Sequence, residues 1–212
     1  MKTKYIIFDL DDTLVYEIDY LYSAYREIAS YVDPEHSDAL YDKMVEGYHK
    51  KINVFEYLHQ EYGIVVQELL SMYRNHKPTI SLIKGANEVL VQLRSAGHKI
   101  GVITDGRSVT QRNKLKALEI EGWFDLIVVS EEVGSTKPDP RNFVPFVSQD
   151  IQDYFYVADN PQKDFITPNH LGWTTLCLLD QGKNIHKQNF ELEKKCLPQH
   201  TMLNIVEVLN YI

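Results

Sequence analysis

Short apolar runs of strand length alternate with stretches of helix length over the second half of the chain, and this alternation limits the fold more than any other feature of the sequence. Runs at 99–104, 125–130, 154–158 and 173–178 read as strands, and stretches at 86–96, 108–118, 140–147, 161–171 and 202–211 read as helices. Strand, helix and strand in this order require right-handed crossovers, and therefore a parallel sheet covered by helices. One more run, Lys-Tyr-Ile-Ile-Phe at 4–8, belongs to the same series. It enters an acidic stretch, Asp9-Leu10-Asp11-Asp12, and is separated from its companions by a long insert of different character.

The insert is helical throughout. Leu21, Ala24, Tyr25, Ile28 and Val32 share one helix face, and Asp33-Pro34 ends that helix. Leu40, Tyr41, Met44, Val45 and Tyr48 form a second apolar stripe. Asn53 reads as the N-cap of a third helix, with Glu56 placed as in a capping box and Gly63 as the stop. Val66, Leu69, Leu70 and Tyr73 mark a fourth helix, ended before Pro78. The expected architecture is thus α/β: a Rossmann-like parallel sheet core with helices on both faces, from residues 1–15 and 80–212, plus a small all-helical cap at 16–79. The insert's many tyrosines sit at helical spacing and read mainly as core. Tyr16, Glu17, Asp19, Tyr20 and Arg26, just past the first strand, are candidates for facing the site.

Composition narrows the function classes. Lys plus Arg is 22 against 30 for Asp plus Glu, a net charge of −8. A chain this acidic repels polyanions in general, so no nucleic-acid partner is expected. No apolar run approaches the length of a membrane span, so no membrane partner is expected either. The start of the sequence does not read as a secretion leader, and Cys177 and Cys196 are too few for a disulfide framework. The expected compartment is the cytoplasm. Oligomeric state is not legible.

In a parallel α/β sheet, ligands bind beyond the carboxyl ends of the strands. Asp9 and Asp11 follow the first strand, Thr104, Asp105 and Gly106 the second, Lys137 the third after a short loop, and Asp159 the fourth, with Asp164 five residues on. Four segments therefore deliver polar groups to one edge. Asp9, Asp11, Asp159 and Asp164 ionised together carry about −4, and like charges in close quarters raise one another's pKa. Lys137 offsets one charge, and a divalent cation offsets two more; carboxylate oxygens suit Mg²⁺. The space that remains beside the metal and Lys137 suits an anionic group held by both, and a phosphate fits it. Thr104 can donate to it, as can the amides from Asp105 onward at a helix N-terminus.

These residues resemble the motifs of the haloacid dehalogenase-like (HAD) hydrolases. Asp9-Leu10-Asp11-Asp12-Thr13-Leu14 is similar to the first motif, Thr104 in Val-Ile-Thr-Asp-Gly to the second, Lys137 in Thr-Lys-Pro-Asp-Pro to the third, and Asp159-Asn160-Pro161-Gln162-Lys163-Asp164 to the fourth. Any one motif is weak; four in order are strong. Ala158 departs from the glycine that many relatives have before the fourth-motif Asp. The helical insert resembles the cap of one branch. The resemblance implies an Asp9 nucleophile, an Asp11 general acid and base with a raised pKa, and phosphoryl oxygens held by Lys137 and Thr104. It implies Mg²⁺ on the Asp9 side chain, the Asp11 backbone carbonyl and Asp159, with Asp164 in direct contact or one step behind. Dehalogenating relatives lack an acid at position 11, so its presence favours phosphoryl chemistry. The implied activity is hydrolysis of a phosphomonoester on a small metabolite, a sugar phosphate or nucleotide. The alternatives are a phosphomutase using the same site and a non-catalytic binding protein of the same fold. Asp12 reads as a turn or cap residue, Thr13 as a loop brace, Asp139 as the N-cap of the helix opened by Pro140, and Arg107 as either a substrate contact or a solvated helix-start residue.

Overall fold

The computed structural model describes residues 2–212. Six strands, β1 (Tyr5–Phe8), β2 (Lys99–Thr104), β3 (Leu126–Val129), β4 (Tyr154–Ala158), β5 (Thr174–Leu178) and β6 (His200–Met202), form one parallel sheet in the order β3-β2-β1-β4-β5-β6. The chain builds outward from β1 in one direction through β2 and β3, then returns to build outward in the other. The switch point lies between β1 and β4, where Phe8 pairs with Val157. β1 is apolar at every position because both of its faces are covered. Ile6 and Phe8 point into a core shared with Val89, Leu90 and Leu93 of α5 (Ala86–Ser95) and Leu115 of α6 (Ser108–Ala117). Tyr5 and Ile7 point into the opposite core, against Phe143, Phe146, Phe165 and Trp173.

The helical insert closes a third core of its own. α1 (Glu17–Val32), α2 (Ser37–His49), α3 (Val54–Tyr62) and α4 (Val66–Asn75) bury Leu21, Tyr25, Ile28, Leu40, Met44, Leu58 and Leu69 together. α3 begins where Asn53 accepts the Glu56 amide and ends where Gly63 turns to φ +72°, a left-handed position that costs glycine little. The insert leaves and rejoins the sheet domain side by side, since Val15 bridges Leu82 and the Ile83 amide donates to Leu14.

Three expected helices take other forms. The 140–147 stretch is two 3-10 turns, Pro140–Asn142 and Val144–Phe146, because Pro145 lacks an amide hydrogen and ends any longer helix. Asp139 does cap the first, accepting the Arg141 amide. The 161–171 stretch contains only α8 (Ile166–His170), since Pro168 is tolerated only in a first turn. The 202–211 stretch starts as β6, which extends the sheet, and then forms a 3-10 helix at Ile205–Asn210 closed by an Asn204–Glu207 capping box. One short helix, α7 (Ser130–Val133), was not anticipated. Among the described residues, no helix is long and apolar enough to cross a membrane.

Candidate active site

The sheet sets Asp9 at the switch point. Its amide continues the β1–β4 ladder to Val157 O at 2.8 Å, and its Oδ1 accepts the Leu10 amide. Lys137 reaches it from the loop beyond β3, with Nζ 2.8 Å from Asp9 Oδ1 and 2.7 Å from Asp164 Oδ1. The Lys137 side chain is completely buried, as is that of Asp164. Tyr156, on the central strand β4, places its hydroxyl 3.4 Å from both the Lys137 ammonium and Asp164. The second Asp164 oxygen accepts the Asn160 amide, which shapes the turn after Asp159. Asp9, Asp159 and Asp164 each offer an oxygen, and these three oxygens lie within 4.8 Å of one another.

The cluster holds more negative charge than its lysine can neutralise. Burial works against the Lys137 charge, yet Asp164 and Asp9 overcome it and keep the ammonium protonated well above its ordinary range. Burial pushes Asp9 up to about 6, opposed chiefly by Lys137. Asp159 makes no ion pair among the described residues and feels Lys137 only weakly. Burial, together with Asp164 and Asp9, pushes it up to about 9. A dry group of three carboxylates that can be fully ionised only with a further cation, and that presents hard oxygen donors, fits a metal ion.

Thr104 ends β2 on the same cavity, buried, with its hydroxyl against the Gln111 amide. Asp105 turns its carboxylate away from any anion-binding role: one oxygen accepts the Lys137 amide at 3.1 Å and the other lies 3.3 Å from Lys163 Nζ. The expected cradle of amides from Asp105 onward is largely taken. Gly106 N–H donates to Ser130 Oγ, and Ser108 N–H at the start of α6 donates to Glu131. A glutamate thus fills the helix N-terminus that charge considerations offered to a phosphate. Arg107 pairs with the same Glu131 at 3.3 Å and is solvated.

Asp11 is held differently from Asp9. Its carboxylate lies outside the three-oxygen group; Lys114 Nζ is 2.5 Å from one oxygen and Gln111 Nε2 2.8 Å from the other. Only its backbone carbonyl remains for the metal role implied by the motif. Asp12, at φ +56°, accepts the Glu17 amide at the start of α1 and the Ile185 amide, so it ties the insert's entry to the loop after β5. Thr13 is buried, and its hydroxyl has no partner among the described residues. Of the insert residues expected near the site, Glu17 lines the cavity and Tyr20 packs on Lys114, whereas Asp19 and Arg26 line a separate surface groove.

Several site residues escaped the sequence reading. Gln111 and Lys114 sit in a mostly polar helix, where buried polar residues look like solvated ones; their i, i+3 spacing just after the second motif was the available signal. Asn184, whose Nδ2 donates to Asp159 Oδ2 at 2.9 Å, lies in a loop with no periodicity to read. Gln188 from the same loop donates to the Asp159 carbonyl. The cavity enclosed by these elements measures about 240 Å³ and is lined by Asp9, Asp11, Thr104, Asp159 and Lys163 from the sheet side, with Glu17 and His186 at the insert side.

The chain was compared with known proteins. The family model for haloacid dehalogenase-like hydrolases matches residues 6–177. A glyceraldehyde 3-phosphate phosphatase from Methanocaldococcus jannaschii is 30% identical over 199 residues, covering 85% of this chain and 86% of that one. Another from Pyrococcus abyssi is 29% identical over 190 residues, covering 82% and 80%. Among solved structures, a HAD phosphatase from Thermococcus onnurineus superposes with a TM-score of 0.63 at 17% identity over 100% of this chain and 97% of that one. The magnesium-bound HAD-hydrolase YfnB from Bacillus subtilis gives 0.64 at 19% identity over 100% and 99%. At those identities the two structures speak to the fold.

Proposed function

This chain belongs to the haloacid dehalogenase-like hydrolase family, and from that premise we propose that it is a Mg²⁺-dependent phosphatase of a small phosphorylated metabolite. The observation that carries this reading is the buried convergence of Asp9, Asp159 and Asp164 on Lys137 at the switch point of the sheet. Asp9, Asp159 and the Asp11 carbonyl would hold the ion, with Asp164 shared between it and Lys137. When bound, Mg²⁺ supplies positive charge against the carboxylates and the transferred phosphoryl oxygens.

Asp9, predominantly ionised at neutral pH, attacks phosphorus, and the bond to the leaving oxygen breaks as Asp11 gives that oxygen a proton. Water then attacks the aspartyl-phosphate. Asp11 takes the water's proton, the phosphorus bond to Asp9 breaks, and inorganic phosphate leaves. Lys137 and Thr104 hold the phosphoryl oxygens in both halves. The helical block at 16–79 acts as a cap over the core of 1–15 and 80–212 and limits bulk water. The small cavity beneath it favours a compact phosphomonoester, and the named relatives make a three-carbon sugar phosphate the first to try. A cytoplasmic setting accords with two free cysteines, Cys177 and Cys196.

Phosphate release from a panel of phosphomonoesters, with Mg²⁺ and with EDTA, tests the reading. Glyceraldehyde 3-phosphate or a similar ester is expected to be hydrolysed only with Mg²⁺, and Asp9→Asn to lower turnover on the order of 10⁴-fold. An Asp9→Asn protein with wild-type turnover removes the nucleophile, and isomerised product in place of phosphate makes the chain a phosphomutase.

A further inference from the structure

We propose that Lys114 is a positioning residue that fixes the Asp11 carboxylate, and that Tyr20 of the cap holds Lys114 in place. This rests on the phosphatase reading and deepens it. The Lys114 side chain is only 3% exposed. A buried ammonium carries a desolvation cost that an apolar residue at the same place would avoid. The Lys114 ammonium has two neighbours that answer for that cost. Asp11 Oδ1 lies 2.5 Å away, and the ring centre of Tyr20 lies 4.6 Å away.

Gln111, one turn earlier on α6, donates to the other Asp11 oxygen at 2.8 Å. Each oxygen of the carboxylate thus has its own donor, and both donors stand on one rigid helix. Two points fix the plane of the group, and passing a proton between it and a reacting oxygen requires a fixed orientation.

The same helix also reads the position of the cap. Thr110 Oγ1 donates to Arg74 O at 3.1 Å, and Asn113 Nδ2 donates to His76 O at 3.1 Å and Asn75 O at 3.2 Å, so α6 caps the carbonyl end of α4. Tyr20 is pinned from the other side: its hydroxyl donates to Tyr73 O at 2.7 Å and its ring packs, tilted by 55°, against that of His76 with centroids 4.5 Å apart. Seating of the cap therefore sets Tyr20 over the Lys114 ammonium, and the ammonium sets Asp11. Asp9 has no such link, since its lysine arises from the core.

Leaving groups separate this role from a merely structural one. An alkyl phosphate needs a proton on its departing oxygen, whereas 4-nitrophenolate leaves without one. Lys114→Met is expected to lower kcat on glycerol 3-phosphate about hundredfold. KM should stay within about threefold of wild type, and release of 4-nitrophenolate in the first turnover should be close to wild type. Tyr20→Leu should reproduce the pattern at about tenfold, and Tyr20→Phe, which keeps the ring, should not. Mg²⁺ with fluoroberyllate should raise the Tm of Lys114→Met as it does that of the wild type, showing that the Asp9 side of the site is intact. Equal losses on the alkyl ester and in the first turnover of the nitrophenyl ester overturn the inference, as does a Lys114→Met protein with wild-type kcat on both. If Lys114→Met does not fold, the Tyr20→Leu and Tyr20→Phe pair decides by the same comparison. A wild type that releases phosphate from no ester overturns the phosphatase reading itself, a result separate from any of these.

Discussion

Asp9 and Asp11 stand two residues apart, yet they belong to different regions of the molecule. Asp9 faces inward to Lys137, Asp164 and Asp159, a buried cluster assembled from the strand ends and the turns that follow them. Asp11 faces α6 and the cap, where its side chain is one-fifth exposed and is met by Lys114 and Gln111. The first arrangement is electrostatic and rigid: one cation against three carboxylates, with a metal ion needed to balance them. The second is geometric: a donor for each oxygen, on a helix that also touches the helical insert. A nucleophile has to be ionised and fixed, whereas a group that gives one proton and takes one back in each cycle has to stay near solvent and near the helical insert.

Removing each lysine is the sharpest way to test this contrast. Lys137→Met leaves Asp9 and Asp164 buried without a cation and should cost about 3–5 kcal/mol of stability in urea unfolding with EDTA. Lys114→Met leaves a carboxylate that water can still reach and should cost about 1–2 kcal/mol by the same measure. Equal losses would erase the distinction.

Metal removal is the next test. Asp159 and Asp9 have folded-state pKa values of about 9 and about 6, both above their unfolded values, so the folded state binds more protons than the unfolded one between about pH 4 and 9. In EDTA the Tm should therefore fall as pH rises through that window. Mg²⁺, which favours the ionised oxygens, should flatten the decline and raise the Tm most at the alkaline end. A Tm in EDTA that rises over this range would mean that the inner cluster is not charge-strained.

Asn184→Ala touches the inner cluster from its rim and carries the smallest expected effect. It should weaken Mg²⁺ about tenfold, read from a Mg²⁺ titration of activity, with kcat at saturating Mg²⁺ nearly unchanged. A loss confined to kcat would instead assign Asn184 to the substrate side.

The inner region was legible in the sequence and the outer one was not, for a physical reason. An apolar strand that ends in Asp is a local signal, and repeating it at Phe8–Asp9 and Ala158–Asp159, beside Thr104 and ahead of Lys137, places the groups at one sheet edge whatever the strand order. Lys114 and Gln111 acquire meaning only when α6 docks between sheet and cap, and nothing within that helix separates its buried polar residues from its solvated ones. The loop carrying Asn184 and Gln188 has no pattern to read at all. The misjudged helices at 140–147 and 161–171 failed for a simpler cause: Pro145 and Pro168 outweighed an apolar spacing that suited a helix.

The placement of β1 bears on how the chain matures during synthesis. Its residues emerge before the partners on its two edges, β2 and β4, which are encoded near residues 100 and 155. The four helices of the insert close a core among themselves and can condense in the meantime. The segment bearing Asp9 and Asp11 is thus made before its partner strands and immobilised only when they arrive. Until β4 arrives its naked edge invites pairing with other chains, a hazard kept brief by its length of four residues.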